Sequence, residues 1–212
     1  LYPVTIGSSA FGGCTSLKEA VLSENVVEIG NEVFADCTEL EKVTLQEGLK
    51  KIGYSFIRNT AVKSLTVPTT VETIETVSDY YGNVYRGATD GAVQLEEVVF
   101  KTGMKKIPDC FCANYQWNEG LVRVEIPESV EEIGHHAFAG CTGLEEINFV
   151  KEIGRIGYCA FFDCRSLKRI ELQKNEKMVT GSDGKKALYP VTIGSSAFGG
   201  CTSLKEAVLS EN

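Results

Sequence analysis

The sequence predicts a solenoid, a stack of short coils in which each coil adds one strand to a parallel β-sheet. Two observations support this fold class. The pattern I-G-x-x-A-F-x-x-C-x-x-L-x-x-V/I-x-L recurs along the chain, and its most regular copies span 23 residues and begin at Ile6, Ile29, Ile133 and Ile156. Within each copy, apolar and polar residues alternate over the length of one short strand. A single copy cannot bury its own apolar face, so it must stack on its neighbours.

Each coil is predicted to contain one strand and one turn. Segments such as LEKVTL (40–45) and LKRIEL (167–172) alternate apolar and polar residues, which is typical of a strand with one buried face. The preceding Ile-Gly-x-x-Ala-Phe is too short for an independent helix. It predicts a short turn, a 3-10 turn or a single helical turn on the other side of the coil, with Ala and Phe in the shared core.

All 212 residues are interpreted as one repeat domain. Shorter, longer or incomplete coils begin at Ile52, Ile74, Ile107 and Ile193. Insertions lengthen three coils, at about 77–91, 113–118 and 173–187. Because irregular loops on a regular scaffold commonly carry specificity, binding is expected at these insertions.

The first 25 residues recur without a difference at 188–212. The offset of 187 residues equals seven coils with their insertions, and exposed positions such as Lys18 recur as well. Packing does not require identity at exposed positions, so tandem duplication in a longer array or deliberate construction is the better explanation. The start LYPVTIG has no initiator Met, and the chain is interpreted as cropped from something longer. The coil that begins at Ile193 lacks its continuation, which predicts end-to-end self-association or fraying.

The composition excludes several functional classes. Asp and Glu number 29 against 21 Lys and Arg, a net charge of −8, so nucleic acid is not an expected partner. No run approaches the roughly 18 to 20 apolar residues of a membrane span. The sequence contains no nucleotide-binding, zinc-protease or serine-hydrolase motif, so neither enzymatic activity nor a cofactor is expected.

Cysteines recur at the ninth place of the coil, and the alignment puts Asn there in two other coils. This pattern predicts a buried column of small polar side chains that bond to neighbouring backbone. The thiols are therefore expected to be free and structural. The column comprises Cys14, Cys37, Asn59, Asn118, Cys141, Cys164 and Cys201.

A second column stands at the fourth place of three coils, where Cys110, His136 and Cys159 follow one another beside His135. Because Ser and Glu occupy this place in other coils, the column is expected at the surface. Cys and neutral His are zinc ligands, which makes a metal site the alternative to a structural role. Strands about 4.8 Å apart spread three stacked Cα atoms over almost 10 Å, so no metal site is predicted.

Aromatic residues in the first two insertions are the candidate partner-binding site. Tyr, Trp and Arg dominate binding hot spots because they bury much area with few rotamers. The alternative is that they hold the longer loops onto the flank of the solenoid. The candidates are Tyr80, Tyr81, Tyr85, Arg86, Tyr115 and Trp117.

The outward side of the strands carries charges of alternating sign. This column either docks a protein partner or keeps an exposed sheet soluble and monomeric. Its members are Glu19, Lys42, Ser64, Glu97, Arg123, Glu146, Arg169 and Glu206, and a less charged stripe of Val21, Thr44, Thr66 and Val99 lies beside it.

The motif AFxxCxxLxxIxL with its 23-residue spacing resembles the BspA-like, or Treponema-type, leucine-rich repeats over nearly the whole chain. Members of that family are surface-exposed or secreted bacterial and protozoal proteins, and some are adhesins for host matrix proteins. The resemblance implies a leucine-rich-repeat solenoid that is extracellular or at the cell surface and binds a protein ligand without enzymatic activity. The alternative function is a structural spacer, a rod in a long tandem array that presents other domains.

Overall fold

The computed structural model describes residues 2–78, 84–114, 118–150, 153–173, 178–180, 186–188 and 190–209. The described residues form short strands and turns, and none of them lies in a helix. In chain order the strands are β1 (Val4–Ile6), β2 (Glu19–Val21), β3 (Val26–Ile29), β4 (Lys42–Thr44), β5 (Lys51–Ile52), β6 (Ser64–Val67), β7 (Thr73–Ile74), β8 (Val77–Ser78), β9 (Val84–Arg86), β10 (Glu97–Phe100), β11 (Lys106–Ile107), β12 (Arg123–Glu125), β13 (Glu132–Ile133), β14 (Arg155–Ile156), β15 (Arg169–Leu172), β16 (Met178–Thr180), β17 (Lys186–Leu188), β18 (Thr192–Ile193) and β19 (Glu206–Leu209).

One set of strands follows the predicted L-x-x-V/I-x-L segments, and we call these the L strands. They are β2, β4, β6, β10, β12, β15 and β19, and they pair in parallel, as β2 with β4, β6 with β10, β10 with β12 and β15 with β19. Equivalent residues face each other, so that Val98 lies opposite Leu65 on one side and Val124 on the other. Leu65 and Val98 are fully buried. The residues next to each of them along its strand point outward, as the alternation requires. The predicted solenoid with a parallel sheet is confirmed.

Each regular coil also contains a second short strand, which the sequence analysis did not predict. These I strands end at the first Ile of the coil and form two parallel ladders, β1-β3-β5-β7 and β11-β13-β14-β18. Ile pairs with Ile in register, as Ile29 does with Ile52. The I strands are two to four residues long, too short to show a period of two in the sequence.

The Ile-Gly-x-x-Ala-Phe segment forms consecutive turns that are hydrogen-bonded between coils. The N–H of the fourth residue donates to the carbonyl of the third residue of the next coil, as from Glu32 to Tyr54 and from His136 to Tyr158, each at 2.9 Å. The fourth residue has a left-handed backbone, with φ of +55° at Glu32 and +53° at His136. Such angles are unfavourable for residues other than Gly, and the ladder between coils holds them in place.

The core is a column of Phe side chains made possible by close stacking of the coils. The rings of Phe138 and Phe161 are parallel within 16°, with centroids 5.2 Å apart. The glycine that follows the first Ile lets the backbones approach, since a Cβ on Gly157 would lie 2.6 Å from the carbonyl carbon of Gly134. Phe34, Phe56, Phe111, Phe138 and Phe161 are the largest fully buried side chains.

The first and third insertions each contain an antiparallel hairpin. Strands β8 and β9 pair in the first, and β16 and β17 pair in the third. The first hairpin follows β7, where the I-strand ladder ends before it resumes at β11. The first insertion therefore leaves the solenoid after an I strand, whereas the third follows the L strand β15 directly.

Candidate protein-binding surface

The structure covers only part of the predicted aromatic site. Arg86 is described with its side chain, and Tyr85 is described as part of the backbone of β9. Tyr80, Tyr81, Tyr115 and Trp117 lie outside the described residues. The geometry available for this site is therefore that of its base, where the insertions meet the coils.

Arg86 anchors the base of the first hairpin to the turns of the solenoid. Its Nη1 atom lies 3.4 Å from Glu32 Oε1, and its Nε atom lies 3.7 Å from Asp90 Oδ2. Its guanidinium carbon lies 5.9 Å from the centroid of the Tyr54 ring, in a cation–π arrangement. Asp90 is buried and also accepts a 3.0 Å hydrogen bond from Ser55 Oγ. These contacts make Arg86 a residue that positions the hairpin.

The acidic partners of Arg86 were not identified from the sequence. Asp90 stands four residues after Arg86, a spacing that commonly brings opposite charges together, but only in a helix. Glu32 comes from a coil 54 residues earlier. Only the stacking of coils brings it to the hairpin, so no local sequence signal pointed to it.

The first two insertions are joined at their described bases. An antiparallel bridge pairs Arg86 with Asn114, and the N–H of Gly87 donates to the carbonyl of Ala113 at 2.8 Å. Asn114 is directly followed by the aromatic stretch of the second insertion. Aromatic residues that are distant in sequence are thus attached to neighbouring points of one scaffold.

The outward charges of the L strands are paired with one another between coils. The distances are 2.6 Å from Lys42 to Glu19, 3.1 Å from Arg123 to Glu97 and 2.8 Å from Arg169 to Glu206. Exposed pairs of this kind contribute little to stability. They do satisfy these charges within the chain, which fits a solubility role for this column. The stripe beside it is uncharged, and Val21 in it is 62% exposed.

The cysteine column donates hydrogen bonds to backbone of the preceding coil. The Sγ atoms of Cys37, Cys164 and Cys201 each lie 3.0 to 3.2 Å from a backbone carbonyl oxygen of the preceding coil. That carbonyl belongs to the Phe that stands three places before the preceding coil's own cysteine. Cys141 makes a longer contact of 3.5 Å with the carbonyl of Cys112. All eight cysteines are free. Burial raises the pKa of Cys164 well above its ordinary value, so this thiol stays protonated and able to donate.

Three members of the predicted column differ from the buried arrangement. Asn59 is exposed, has a left-handed φ of +52°, and donates to the Asp36 side chain at 3.1 Å. Thr60 takes the buried ninth place of this coil instead. The coil is one residue short, and the missing residue falls after the ninth place, not before it. Cys14 is exposed, since no coil covers it. Asn118 is buried, but its Oδ1 accepts from the N–H groups of Gly120 and Leu121 in its own coil.

The second column is not at the surface, contrary to expectation. Cys110 and Cys159 are 6% and 5% exposed, because the left-handed turn directs the fourth side chain back toward the neighbouring coil. Burial raises the pKa of the Cys110 thiol to about 12 and also raises the pKa of Cys159. Thiols in this state are poor nucleophiles and poor metal ligands at neutral pH. Across the described ranges, no three His, Cys, Asp or Glu side chains are grouped so that they could hold a metal ion.

The stacked coils, their Phe and Cys columns and their paired L strands define a leucine-rich-repeat protein. A model of the BspA type leucine rich repeat region matches six copies, over residues 4–115 and 111–182. The chain belongs to the BspA-type leucine-rich repeat family. No curated protein matches it.

Solved structures of bacterial repeat proteins share the fold. A leucine-rich repeat protein from Bacteroides ovatus is 24% identical with a TM-score of 0.60, and the match covers 96% of this chain and 51% of that one. The leucine-rich repeat protein of T. pallidum is 24% identical with a TM-score of 0.53, and the match covers 95% of this chain and 72% of that one. The chain thus spans about half the length of the Bacteroides ovatus protein. In the described part of the chain, no helix has the length and apolar character needed to cross a membrane.

Proposed function

We propose that the chain is a non-enzymatic protein-binding module of a cell-surface or secreted repeat protein, which adheres to host or extracellular proteins through its first two insertions. The observation that carries this proposal is the bridge between Arg86 and Asn114, which joins the bases of the two insertions. The family supports the extracellular location, because its members are similar in being surface-exposed or secreted.

The scaffold favours binding by limiting the freedom of the loops. Arg86 ties the hairpin to Glu32 and Asp90, and the hydrogen bond from Gly87 to Ala113 fixes the second insertion beside it. Loops held at their bases lose less conformational entropy when a partner binds. Aromatic residues presented in this way bury much area in a contact and keep a polar tip for hydrogen bonding.

A binding assay with paired aromatic substitutions tests the proposal. The wild-type chain is passed over a panel of immobilised extracellular-matrix proteins, and any partner found is tested again with the double variant Tyr81→Ala, Trp117→Ala. We expect binding to weaken by roughly a thousandfold, the loss of about two hot-spot contacts of about 2 kcal/mol each, with little change in melting temperature. Tyr2→Ala is the matched control, because Tyr2 is 91% exposed and lies outside the insertions. Unchanged binding, or a large loss of stability, would assign the two aromatics to packing.

A spacer function is favoured by a different observation. Outward charges of the L strands are paired within the chain, and the identity of residues 1–25 with 188–212 fits a long array of repeated units. A rod of this kind tolerates scrambling of residues 77–91 and 113–118 without loss of biological effect. A binding module loses its attachment under the same change, so this experiment separates the two functions.

A further inference from the structure

The third place of the coil carries a ladder of side-chain hydrogen bonds on the turn side of the solenoid. At this place, the backbone N–H of one coil donates to the side chain of the coil before it. The bonds run from Asn31 to Ser8 Oγ at 3.2 Å, from Tyr54 to Asn31 Oδ1 at 3.0 Å, from His135 to Asp109 Oδ1 at 3.1 Å and from Tyr158 to His135 Nδ1 at 2.8 Å. The four accepting groups are a hydroxyl, an amide, a carboxylate and an imidazole, so the ladder requires an acceptor atom and not one residue type.

This ladder determines which ring nitrogen of His135 carries the proton. A backbone N–H can only donate, so Nδ1, which lies 2.8 Å from the Tyr158 nitrogen, is the acceptor. A neutral imidazole has one acceptor nitrogen and one donor nitrogen, so its proton lies on Nε2. The tautomer is thus assigned from the hydrogen-bond network. A protonated ring would offer Tyr158 no acceptor, so the ladder favours the neutral form.

A second donor faces this Nε2–H group. The Arg155 Nη2 atom lies 3.0 Å from His135 Nε2, and a guanidinium can only donate, so the two atoms cannot bond to each other. The Nη1 atom of Arg155 lies 3.3 Å from Glu132 Oε1, which holds the guanidinium beside the ring. Among the described residues, neither Nε2 nor Nη2 is bonded to an acceptor. Two donors therefore converge on one place where an acceptor is lacking.

We propose that His135 and Arg155 together bind a carboxylate group, presented by an acidic side chain of a protein partner. The carboxylate accepts one hydrogen bond from each residue, and a hydrogen bond from a guanidinium to a carboxylate is among the strongest that side chains form. That the partner is a protein rests on the proposed function. The carboxylate site itself is inferred from the two converging donors alone.

The surrounding charges favour a single carboxylate over a polyanion such as a sulfated polysaccharide. Lys106 lies 3.1 Å from both Asp109 and Glu132, and Glu132 also pairs with Arg155. These two cations and two carboxylates balance around the neutral His135 ring, and the whole chain has a net charge of −8. A balanced surface accepts one added negative charge, but it offers a chain of sulfate groups no basic tract to follow.

The site lies on the same side of the solenoid as the base of the first hairpin. Tyr54 belongs to the same third-place ladder, and Arg86 of the hairpin stacks over its ring. The next residue, Ser55, donates its N–H to the carbonyl of Gly87 at this base, at 2.8 Å. A partner that binds the insertions can therefore also place an acidic residue against the site. The half-exposed Tyr158 ring adds an aromatic contact beside it.

An acetate titration followed by NMR tests the site without any partner. The chain has two histidines, so His136→Gln leaves His135 as its one imidazole. In this background at pH 7.5, nitrogen-15 shifts of the ring should show a protonated Nε2 and an unprotonated Nδ1. Acetate should move the Nε2 signal saturably, with a dissociation constant on the order of 10 mM, as expected for one carboxylate held by two exposed donors. Sodium chloride at the same ionic strength should not.

Two substitutions to Thr provide the test and its matched control. Thr73 and Thr192 stand at the place that Arg155 and Lys51 occupy in their own I strands, so Thr fits there. Both changes remove one exposed cation that is paired with Glu, which costs little stability. Arg155→Thr is expected to weaken acetate binding by roughly tenfold or more, whereas Lys51→Thr should leave it unchanged.

Three results would overturn the proposal. Acetate may not move the ring signal beyond the chloride reference, or it may bind Arg155→Thr as well as the parent, and in either case the two donors do not form a site. If sulfate saturates the signal at a lower concentration than acetate, the site selects sulfate esters and the carboxylate assignment is wrong. None of these results depends on Tyr81 or Trp117, so they are distinct from a failure of the proposed binding through the insertions.

Discussion

Replacing Phe138 by Ala is expected to destabilise the solenoid far more than the same change at Phe11. Phe138 is fully buried, stacks on Phe161 at 5.2 Å and meets Phe100 edge to face at 6.2 Å. Phe11 is 42% exposed, and its ring stacks on Phe34 at 5.5 Å as its one ring neighbour among the described residues. Removing a fully buried Phe costs about 3 to 5 kcal/mol, and an aromatic pair adds about 0.5 to 1.5 kcal/mol. With roughly half the burial and one ring neighbour, Phe11→Ala is expected to cost about 2 kcal/mol.

Urea unfolding followed by circular dichroism measures both losses, and hydrogen exchange locates them. Coils interact mainly with their neighbours, so Phe138→Ala should speed amide exchange in the coils on both sides of its own, whereas Phe11→Ala should affect only its own coil and the coil of Phe34. Two variants with equal losses of unfolding free energy would refute the assignment of stability to stacked rings. The same conclusion would follow if Phe11→Ala were the more damaging change.

Two further predictions concern titratable side chains. In the native protein, a thiol reagent should modify exposed Cys14 rapidly and buried Cys37, Cys141 and Cys164 only on unfolding. Because Cys201 is half-buried, a fast phase that survives the double variant Cys14→Ser, Cys201→Ser would contradict this. Burial, and then the nearby charge of His135, lowers the pKa of His136 below its ordinary value of about 6.5. The unfolded chain therefore takes up a proton first as the pH falls through about 6.5, and the stability that depends on neutral His136 is lost below that pH. His136→Gln should flatten this part of the stability profile, measured by thermal unfolding from pH 7.5 to 5, and an unchanged profile would show that His136 is not responsible.

The L strands could be predicted because the alternation of apolar and polar residues is complete within each strand's own sequence. In LEKVTL, one face of the strand is apolar, and Val43 and Leu45 are buried as that pattern requires. The I strands could not, because a pair such as Lys51–Ile52 is too short to show any period. The left-handed turn at Glu32 could not be predicted either, since Glu does not favour that backbone. Hydrogen bonds between coils determine both features, and these involve residues 21 or more positions apart.

For the candidate site too, some features could be predicted from the sequence and others depended on residues from other coils. Insertion lengths followed from counting residues between repeats, so the places of the irregular loops were available from sequence. The role of Arg86 depended on Glu32 and Tyr54, which belong to coils stacked beneath the hairpin. The burial of Cys110 and Cys159 depended on the direction that a left-handed turn gives to its side chain. Sequence thus identified where function is expected, and three-dimensional neighbours determined what each residue does there.

The hydrogen-bonded ladders between coils have a mechanical consequence. Their bonds run from one coil to the next, so a pull on the two ends of the chain loads them one coil at a time, as in peeling, instead of all together as in shear. Each regular coil of 23 residues that detaches would release roughly 75 Å of extended chain. When the tension ends, the detached coil can fold back onto the exposed face of its neighbour. A chain built in this way would act as an extensible tether that absorbs force in small, repeatable steps.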